Sequence, residues 1–328
     1  MAVRRAVREA LSDLADDDLV LVACSGGPDS LALASAVAAE RSRAGAIVVD
    51  HGLQIGSAEV AQTAASQCRG LGLDPVEVIT LDLGAPAPGL GGPEAIARDA
   101  RRAALTDAAQ RHGAVAILLA HTRDDQAETV LLRLARGAGA RSLGAMASVT
   151  GIWRRPLLGL DREVVHAALA DLQAWSDPHN VDPAFARVRV RRDALPALLA
   201  ALGPGVVAGL ARSADLLRDD ADALDRMAAE AWPDCCVAHL EQVECELEID
   251  RLRALPRAVR TRILRRAAIE TGSPATALSR DHILAIEALV SDWHGQGPLD
   301  LPGPLRVSRR YGRLRFDRTD PLGSPPRA

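Results

Sequence analysis

The chain has 328 residues, 48% hydrophobic and 25% charged, a globular composition long enough for two domains that excludes a disordered or collagen-like protein. No apolar run reaches the ~18 residues of a membrane-spanning helix, and the start, Met1-Ala2-Val3-Arg4-Arg5, lacks an apolar signal core, so an unexported, cytoplasmic protein with no membrane partner is expected. Five cysteines without a C-x-x-C pair exclude a disulfide scaffold, a zinc ribbon and a thioredoxin motif. All 39 basic residues are arginine, and the net charge of −4 opposes indiscriminate nucleic-acid binding while leaving room for a local basic surface. At 2% aromatic, with Tyr311 the single tyrosine, rows of stacked rings on a single strand are not expected.

In chain order, residues 19–24 (Leu-Val-Leu-Val-Ala-Cys) predict a strand, Ser25-Gly26-Gly27-Pro28-Asp29-Ser30 a loop, and residues 31–40 a helix. The alternation repeats: strand 46–50, helix 57–71, strand 76–81, helix 93–111, strand 115–120 and helix 123–136. Such spacing predicts a doubly wound, mainly parallel α/β sheet, and strands apolar on successive residues fit helices on both faces. Residues 84–93 hold four glycines and three prolines and read as a mobile surface loop. A further short strand is expected within 153–158. Gly203-Pro204-Gly205 breaks the chain before a long polar helical stretch, and a smaller, mostly helical unit follows, with a strand at 245–250, helices at 256–270 and 279–291 and a hairpin around Tyr311-Gly312.

The loop at 25–30 sits where an open parallel sheet binds ligands, after a strand and before a helix. Two glycines let backbone N–H groups approach a phosphate, the Ser25 and Ser30 hydroxyls add donors, and the helix N-terminus adds partial positive charge. Asp29 suits Mg²⁺ or an orienting role instead. A chain without lysine cannot carry a Walker A loop, and no G-x-G-x-x-G fingerprint is present.

The segment Ser25–Ser30 resembles the PP-loop of the ATP pyrophosphatases. Val49-Asp50-His51-Gly52-Leu53, Gly92-Pro93-Glu94-x-x-Ala97-Arg98-x-x-Arg101, His121-Thr122-x-Asp124-Asp125-Gln126-x-Glu128, Arg155-Pro156-Leu157-Leu158 and Trp175-Ser176-Asp177-Pro178-x-Asn180 follow in the order and spacing of the tRNA(Ile)-lysidine synthetase family, in a short form that lacks a second C-terminal domain. The resemblance implies a PP-loop catalytic domain at 1–202, a helical linker at 203–232 and a tRNA-binding domain at 233–328. It further implies ATP held by Ser25, Gly26, Gly27, Pro28, Asp29, Ser30, Asp50 and His51, Mg²⁺ at Asp29, and catalysis by Asp29, Asp124 and Asp125. Its partners are isoleucine tRNA with a CAU anticodon and free L-lysine; a homodimer is compatible with it. Four positions depart from the family pattern, Gln54, Arg102, His179 and Val188, and bear on nucleotide or tRNA positioning. Another PP-loop enzyme, a tRNA thiolase or a small-molecule amide ligase, would share the ATP site, as would a non-catalytic nucleotide-binding protein.

Carboxylates at a helix N-terminus are stabilising in themselves, but Asp124, Asp125 and Glu128 cluster at a strand end where a lysine ammonium needs oxygen anions. Glu94 and Arg98 by themselves read as an exposed i, i+4 pair, and the resemblance implies that they hold lysine together with Asp124 and Glu128. Arg98 and Arg101 suit a pyrophosphate or carboxylate. Arg187, Arg189, Arg191 and Arg192 alternate with valines, as on a solvated strand face, and residues 251–266 carry seven arginines and no acid. Arg187, Arg191, Arg257 and Arg260 are therefore the expected tRNA contacts, by phosphate neutralisation.

Overall fold

The structure, a computed structural model, describes residues 1–52, 56–82, 93–169, 172–237 and 245–319. The glycine- and proline-rich loop and Gln54 lie outside the described residues. Two compact units, Met1–Arg218 and Asp219–Ala328, divide the chain. Among the described residues no single helix is long and apolar enough to cross a membrane.

The first unit contains α1 (Ala2–Ala10), β1 (Val20–Ala23), α2 (Pro28–Glu40), β2 (Ala44–Asp50), α3 (Ser57–Gly70), β3 (Val76–Thr80), α4 (Pro93–His112), β4 (Ala116–Leu118), α5 (Arg123–Leu134) and α6 (Ala140–Leu143). After these come β5 (Val149–Thr150), β6 (Trp153–Arg154), α7 (Arg162–His166), α8 (Ala186–Arg189) and α9 (Leu195–Leu202). The sheet order is β3-β2-β1-β4-β6-β5, parallel from β3 to β6 and antiparallel only at β5. Val22 on β1 pairs with Ala46 on one side and Leu118 on the other, so the order reverses at β1 and opens a crevice beyond the strand ends. Buried side chains on both sheet faces, Val20 and Val22 on one and Leu21 and Ala23 on the other, account for the unbroken apolar runs.

Gly45 on β2 leaves no room for a side chain: a Cβ would lie 2.4 Å from the Pro75 carbonyl oxygen and 2.8 Å from Leu21 Cδ2. Gly45→Ala is expected to destabilise the unit by about 1–3 kcal/mol, the usual range for overpacking, read as a lowered urea midpoint with unchanged slope.

Three local expectations change. The strand expected within 153–158 is only β6, because Pro156 opens a 3-10 turn through Gly159. The alternating Arg/Val segment is helical: α8 runs into a π-helical turn, Val190–Ala194, and then α9. Pro196 in the first turn of α9 has no N–H to donate toward Arg192, and a wide turn accommodates that gap. The second unit, expected to be mostly helical with one strand and a hairpin, adds to its helices a five-stranded antiparallel sheet.

The helix α10 (Val206–Cys235) carries the chain from one unit into the other, and the division falls within the stretch 203–232 read as a linker. The second unit continues with β7 (Cys236–Val237), β8 (Cys245–Glu248), α11 (Ile249–Ala254), α12 (Arg257–Glu270), α13 (Arg280–Ser291), β9 (Leu299–Leu301), β10 (Leu305–Arg310) and β11 (Arg313–Arg318). Phe316, Leu314, Val307 and Leu247 from the sheet pack with Val259, Ile263, Leu264, Ile286 and Leu289 from α12 and α13 as a separate core. The edge strands β7 and β9, two and three residues long, are too short for a visible period.

Candidate active site

The glycines of the loop after β1 shape it for close approach. Gly26 has φ +79°, and a Cβ there would meet the Ala64 Cβ at 3.1 Å; Gly27 is the N-cap of α2 and Pro28 its first residue. The Ser30 hydroxyl is turned inward: it donates to the Gly27 carbonyl at 2.9 Å and accepts from the Ser25 N–H at 3.1 Å. Ser30 thus holds the loop's shape while Ser25 shares its hydroxyl contact at 3.3 Å. From outside, the Trp175 N–H donates to the Gly26 carbonyl at 2.9 Å. Five residues of the loop, Ser25, Gly27, Pro28, Asp29 and Ser30, line the crevice.

Two cavities meet at the switch of strand order, of about 300 Å³ and about 490 Å³, and Ala23, Ser25, Gly27, Arg101, Trp175 and Asn180 border both. The smaller holds Asp50 and His51 at the end of β2. Asp50 is buried and accepts from the Gly52 N–H at 2.9 Å, which fixes the turn. Burial and then the charge of Arg101 hold the His51 imidazole below its ordinary pKa, and its buried Nδ1 has no hydrogen-bond partner. Arg101, from α4, faces both cavities; burial works against its charge, and among the described residues no carboxylate pairs with it. An unpaired guanidinium between two cavities is an anion site, since burial of a cation is costly without a counter-charge.

The larger cavity is walled by Arg101, Arg162, Arg187, Arg191, His121 and His166 against two carboxylates, Asp29 and Asp125. Thr122 begins α5 with a capping box in which Asp125 returns a contact to the Thr122 N–H at 2.8 Å. Burial opposes the Asp125 charge, but Arg162, the Thr122 backbone and Arg187 together hold it below the usual carboxylate range. Asp29 is the opposite case: burial first, then the neighbouring Asp125 charge, raise it, against the pull of His166 and Arg162. His166 Nε2 lies 3.0 Å from Asp29 Oδ1, without the alignment of a hydrogen bond. His121 is driven down to about 4 by burial, so its imidazole is neutral at pH 7.

The other expected site residues divide. Asp124 does not line either cavity; its carboxylate accepts from the Arg162 N–H at 2.8 Å and ties α7 to α5. Glu128 is fully buried behind the cavity wall, 2.7 Å from Arg191 Nε, 3.2 Å from Arg187 Nε and 3.3 Å from an Arg162 NH₂. Arg187 and Arg191, expected as tRNA contacts, thus line the wall of the larger cavity. Arg98 is exposed beside Asp99 at 3.5 Å, away from both cavities, and the side chain of Glu94 on α4 lies outside the described residues. In the second unit Arg260 is not an open contact: it is 2.6 Å from Glu287 and donates to the Leu252 and Leu255 carbonyls, closing the end of α11. Arg257 stays largely exposed, 3.9 Å from Glu287. Of the family departures, Arg102 stacks 4.6 Å over the Trp153 ring and Val188 is buried in α8, while the His179 side chain lies outside the described residues. Arg162, His166, Trp175 and Asn180 enter the site without having been singled out as site residues from the sequence.

Residues 1–198 match the PP-loop domain family and residues 247–315 the TilS substrate binding domain family. The chain is 56% identical over 95% of its length, and 95% of the relative's, to the tRNA(Ile)-lysidine synthase of Thermobifida fusca. It is 54% identical to that of Streptomyces coelicolor, over 90% of this chain and 84% of the relative, and 47% identical to that of Mycobacterium tuberculosis, over 88% and 86%. Among solved structures, the U34-tRNA thiolase NcsA of Methanococcus maripaludis has a similar fold, with a TM-score of 0.54 at 19% identity over 66% of this chain and 78% of that one. A parallel sheet with its loop at the strand switch, both family matches and these identities lead to one assignment: the chain belongs to the tRNA(Ile)-lysidine synthase family of PP-loop ligases.

Proposed function

We propose that this chain ligates lysine to position 2 of the wobble cytidine in the CAU anticodon of isoleucine tRNA, forming lysidine and switching reading from AUG to AUA. Membership in the family supports the substrate. The observation that carries the chemistry is Arg101, a guanidinium without a carboxylate that faces both cavities beside the Gly26-Gly27 loop. ATP laid along the loop places its adenosine toward Asp50 and His51 and its phosphates toward Arg101. The cytidine 2-oxygen attacks the α-phosphorus and pyrophosphate leaves; the lysine ε-amine then attacks C2, the C2–O bond breaks, and AMP departs. Before attack the lysine ammonium loses a proton, and Asp29 and Asp125, the two carboxylates that face the larger cavity, are the groups placed to orient or accept it.

A Mg²⁺ bound with ATP fits this donor set, because that ion takes one or two protein carboxylates and completes its shell with phosphates and water. Asp29 Oδ1, buried and without a hydrogen bond, is the acceptor that would hold it. Among the described residues no cluster of three or more His, Cys, Asp or Glu forms a metal site. The ion would neutralise phosphate charge.

The test is transfer of labelled lysine to isoleucine tRNA transcript with ATP and Mg²⁺, beside methionine tRNA, a reaction without tRNA, and the Asp29→Ala and Cys24→Ser variants. Label in isoleucine tRNA alone, lost in Asp29→Ala and kept in Cys24→Ser, is the expected pattern. The neighbouring Cys68 thiol draws the Cys24 thiol down, yet Cys24 is 1% exposed beneath the loop. Loss of transfer in Cys24→Ser would turn the assignment toward sulfur chemistry, and pyrophosphate release without tRNA toward a small-molecule ligase.

A further inference from the structure

The turn between β10 and β11 conflicts with its own sequence. Arg310 pairs with Arg313 and leaves a two-residue loop, Tyr311-Gly312, in which Tyr311 has φ +47° and Gly312 φ +76°. Hairpin turns of this kind favour Asn or Gly at both positions, since a bulky side chain with positive φ is strained. No packing offsets the strain: the Tyr311 side chain is wholly exposed, and among the described residues it has no hydrogen bond or ring contact. Arg310 beside it is exposed and has no ion-pair partner among the described residues. On the neighbouring strand Glu248 sits opposite Arg313 and lies 4.0 Å from Arg251, and Glu246, further from the turn, is held by Arg313 at 2.9 Å and Arg315 at 3.0 Å. An uncompensated local conflict of this kind marks a group kept for something outside the chain.

We propose that Tyr311 is a stacking platform for an unpaired or terminal base of the tRNA, with Arg310 on the adjoining phosphate; this rests on the reading of the substrate given above. An exposed ring beside unpaired guanidinium charge matches the two faces of single-stranded RNA, a flat base and an anionic backbone. It does not require rows of aromatics, because one ring orders one base.

The measurement is binding of isoleucine tRNA at two salt concentrations and lysine transfer at varied tRNA, for wild type, Tyr311→Asn, Tyr311→Phe, Tyr311→Trp and Arg310→Ala. Tyr311→Asn is expected to bind tRNA about tenfold more weakly and to raise the KM for tRNA by the same factor, with kcat at saturating tRNA unchanged. Its thermal midpoint stays level or rises, because asparagine suits the turn. Phe and Trp retain binding. Arg310→Ala weakens binding and lowers the salt slope by about one, whereas Tyr311→Asn leaves the slope unchanged. Wild-type affinity in Tyr311→Asn, or a lowered midpoint there, would overturn the platform alone, as would a Phe variant as weak as Asn. Failure of the wild-type chain to bind isoleucine tRNA would overturn the substrate reading together with it.

Discussion

Replacing Arg101 by leucine is expected to lower kcat/KM for pyrophosphate release by about 10²–10³-fold while the thermal midpoint stays level or rises. The two effects have one cause. A preorganised cation aimed at developing phosphate charge is worth about 3–4 kcal/mol in the transition state. The same guanidinium, partly buried and with no carboxylate partner among the described residues, is a cost to the folded chain. Lysine at this position keeps the charge but not the planar pair of donors, so Arg101→Lys recovers part of the rate. Steady-state release of pyrophosphate beside calorimetry of the same preparations separates the outcomes. If Arg101→Leu lost stability and activity together, Arg101 would be a packing residue, and the anion reading of the crevice would lose its main support.

The part of the site that was legible in the sequence is the part made by contiguous residues. Gly26 and Gly27 signal a close backbone approach, and the strands on either side of them are apolar on every residue because both faces are covered. The order β3-β2-β1-β4 then follows from right-handed crossovers, and the loop falls at the switch. What could not be read is the wall opposite. Arg162 and His166 lie on α7, a helix of five residues that is too short to show a period. They reach the site because the Asp124 carboxylate caps the Arg162 N–H, a contact 38 positions apart along the chain.

The arginines show a related limit of sequence: it displays a charge but not its partner. The seven in residues 251–266 look like a phosphate-binding face. In the structure Arg253 donates to the Val290 carbonyl, Arg260 to those of Leu252 and Leu255, and Arg265 to those of Ala275 and Leu278. The first two reach the C-terminal turns of α13 and α11, and the third ties down the turn that precedes α13. Arg262 meets Asp225 at 2.6 Å, and Arg266 lies 4.2 Å over the Trp232 ring. With no lysine in the chain, arginine does structural work that leaves no mark in composition. Of the seven, Arg251 and Arg257 stay the more open, 66% and 62% exposed, and Arg310 on β10 is exposed too, which no residue count contains.

Glu128→Gln is expected both to destabilise the first unit and to raise the KM for lysine, with the KM for ATP unchanged. The carboxylate is wholly buried among Arg162, Arg187 and Arg191, and with Asp29 and Asp125 it balances their three positive charges. Removing one charge leaves a guanidinium uncompensated. Breaking a buried pair costs about 3–5 kcal/mol, here reduced to about 2–3 kcal/mol because Arg187 and Arg191 are 42% and 31% exposed and partly screened by solvent. At about 2–4 °C per kcal/mol for a unit of this size, the midpoint falls by about 5–10 °C. The Arg191→Met change added to Glu128→Gln restores much of that loss, since the orphaned cation goes with the acid. The lysine effect follows from position. Under the proposed function the carboxylate of lysine meets Arg191 in the larger cavity, and Glu128, buried behind that wall, sets where the guanidinium stands. Loss of one charge-assisted contact, about 1.5–3 kcal/mol, raises the KM for lysine about 10–100-fold. Lysine titrations of the variant below its melting range check this. A lowered midpoint with wild-type lysine KM would reduce Glu128 to a counter-charge for the three arginines.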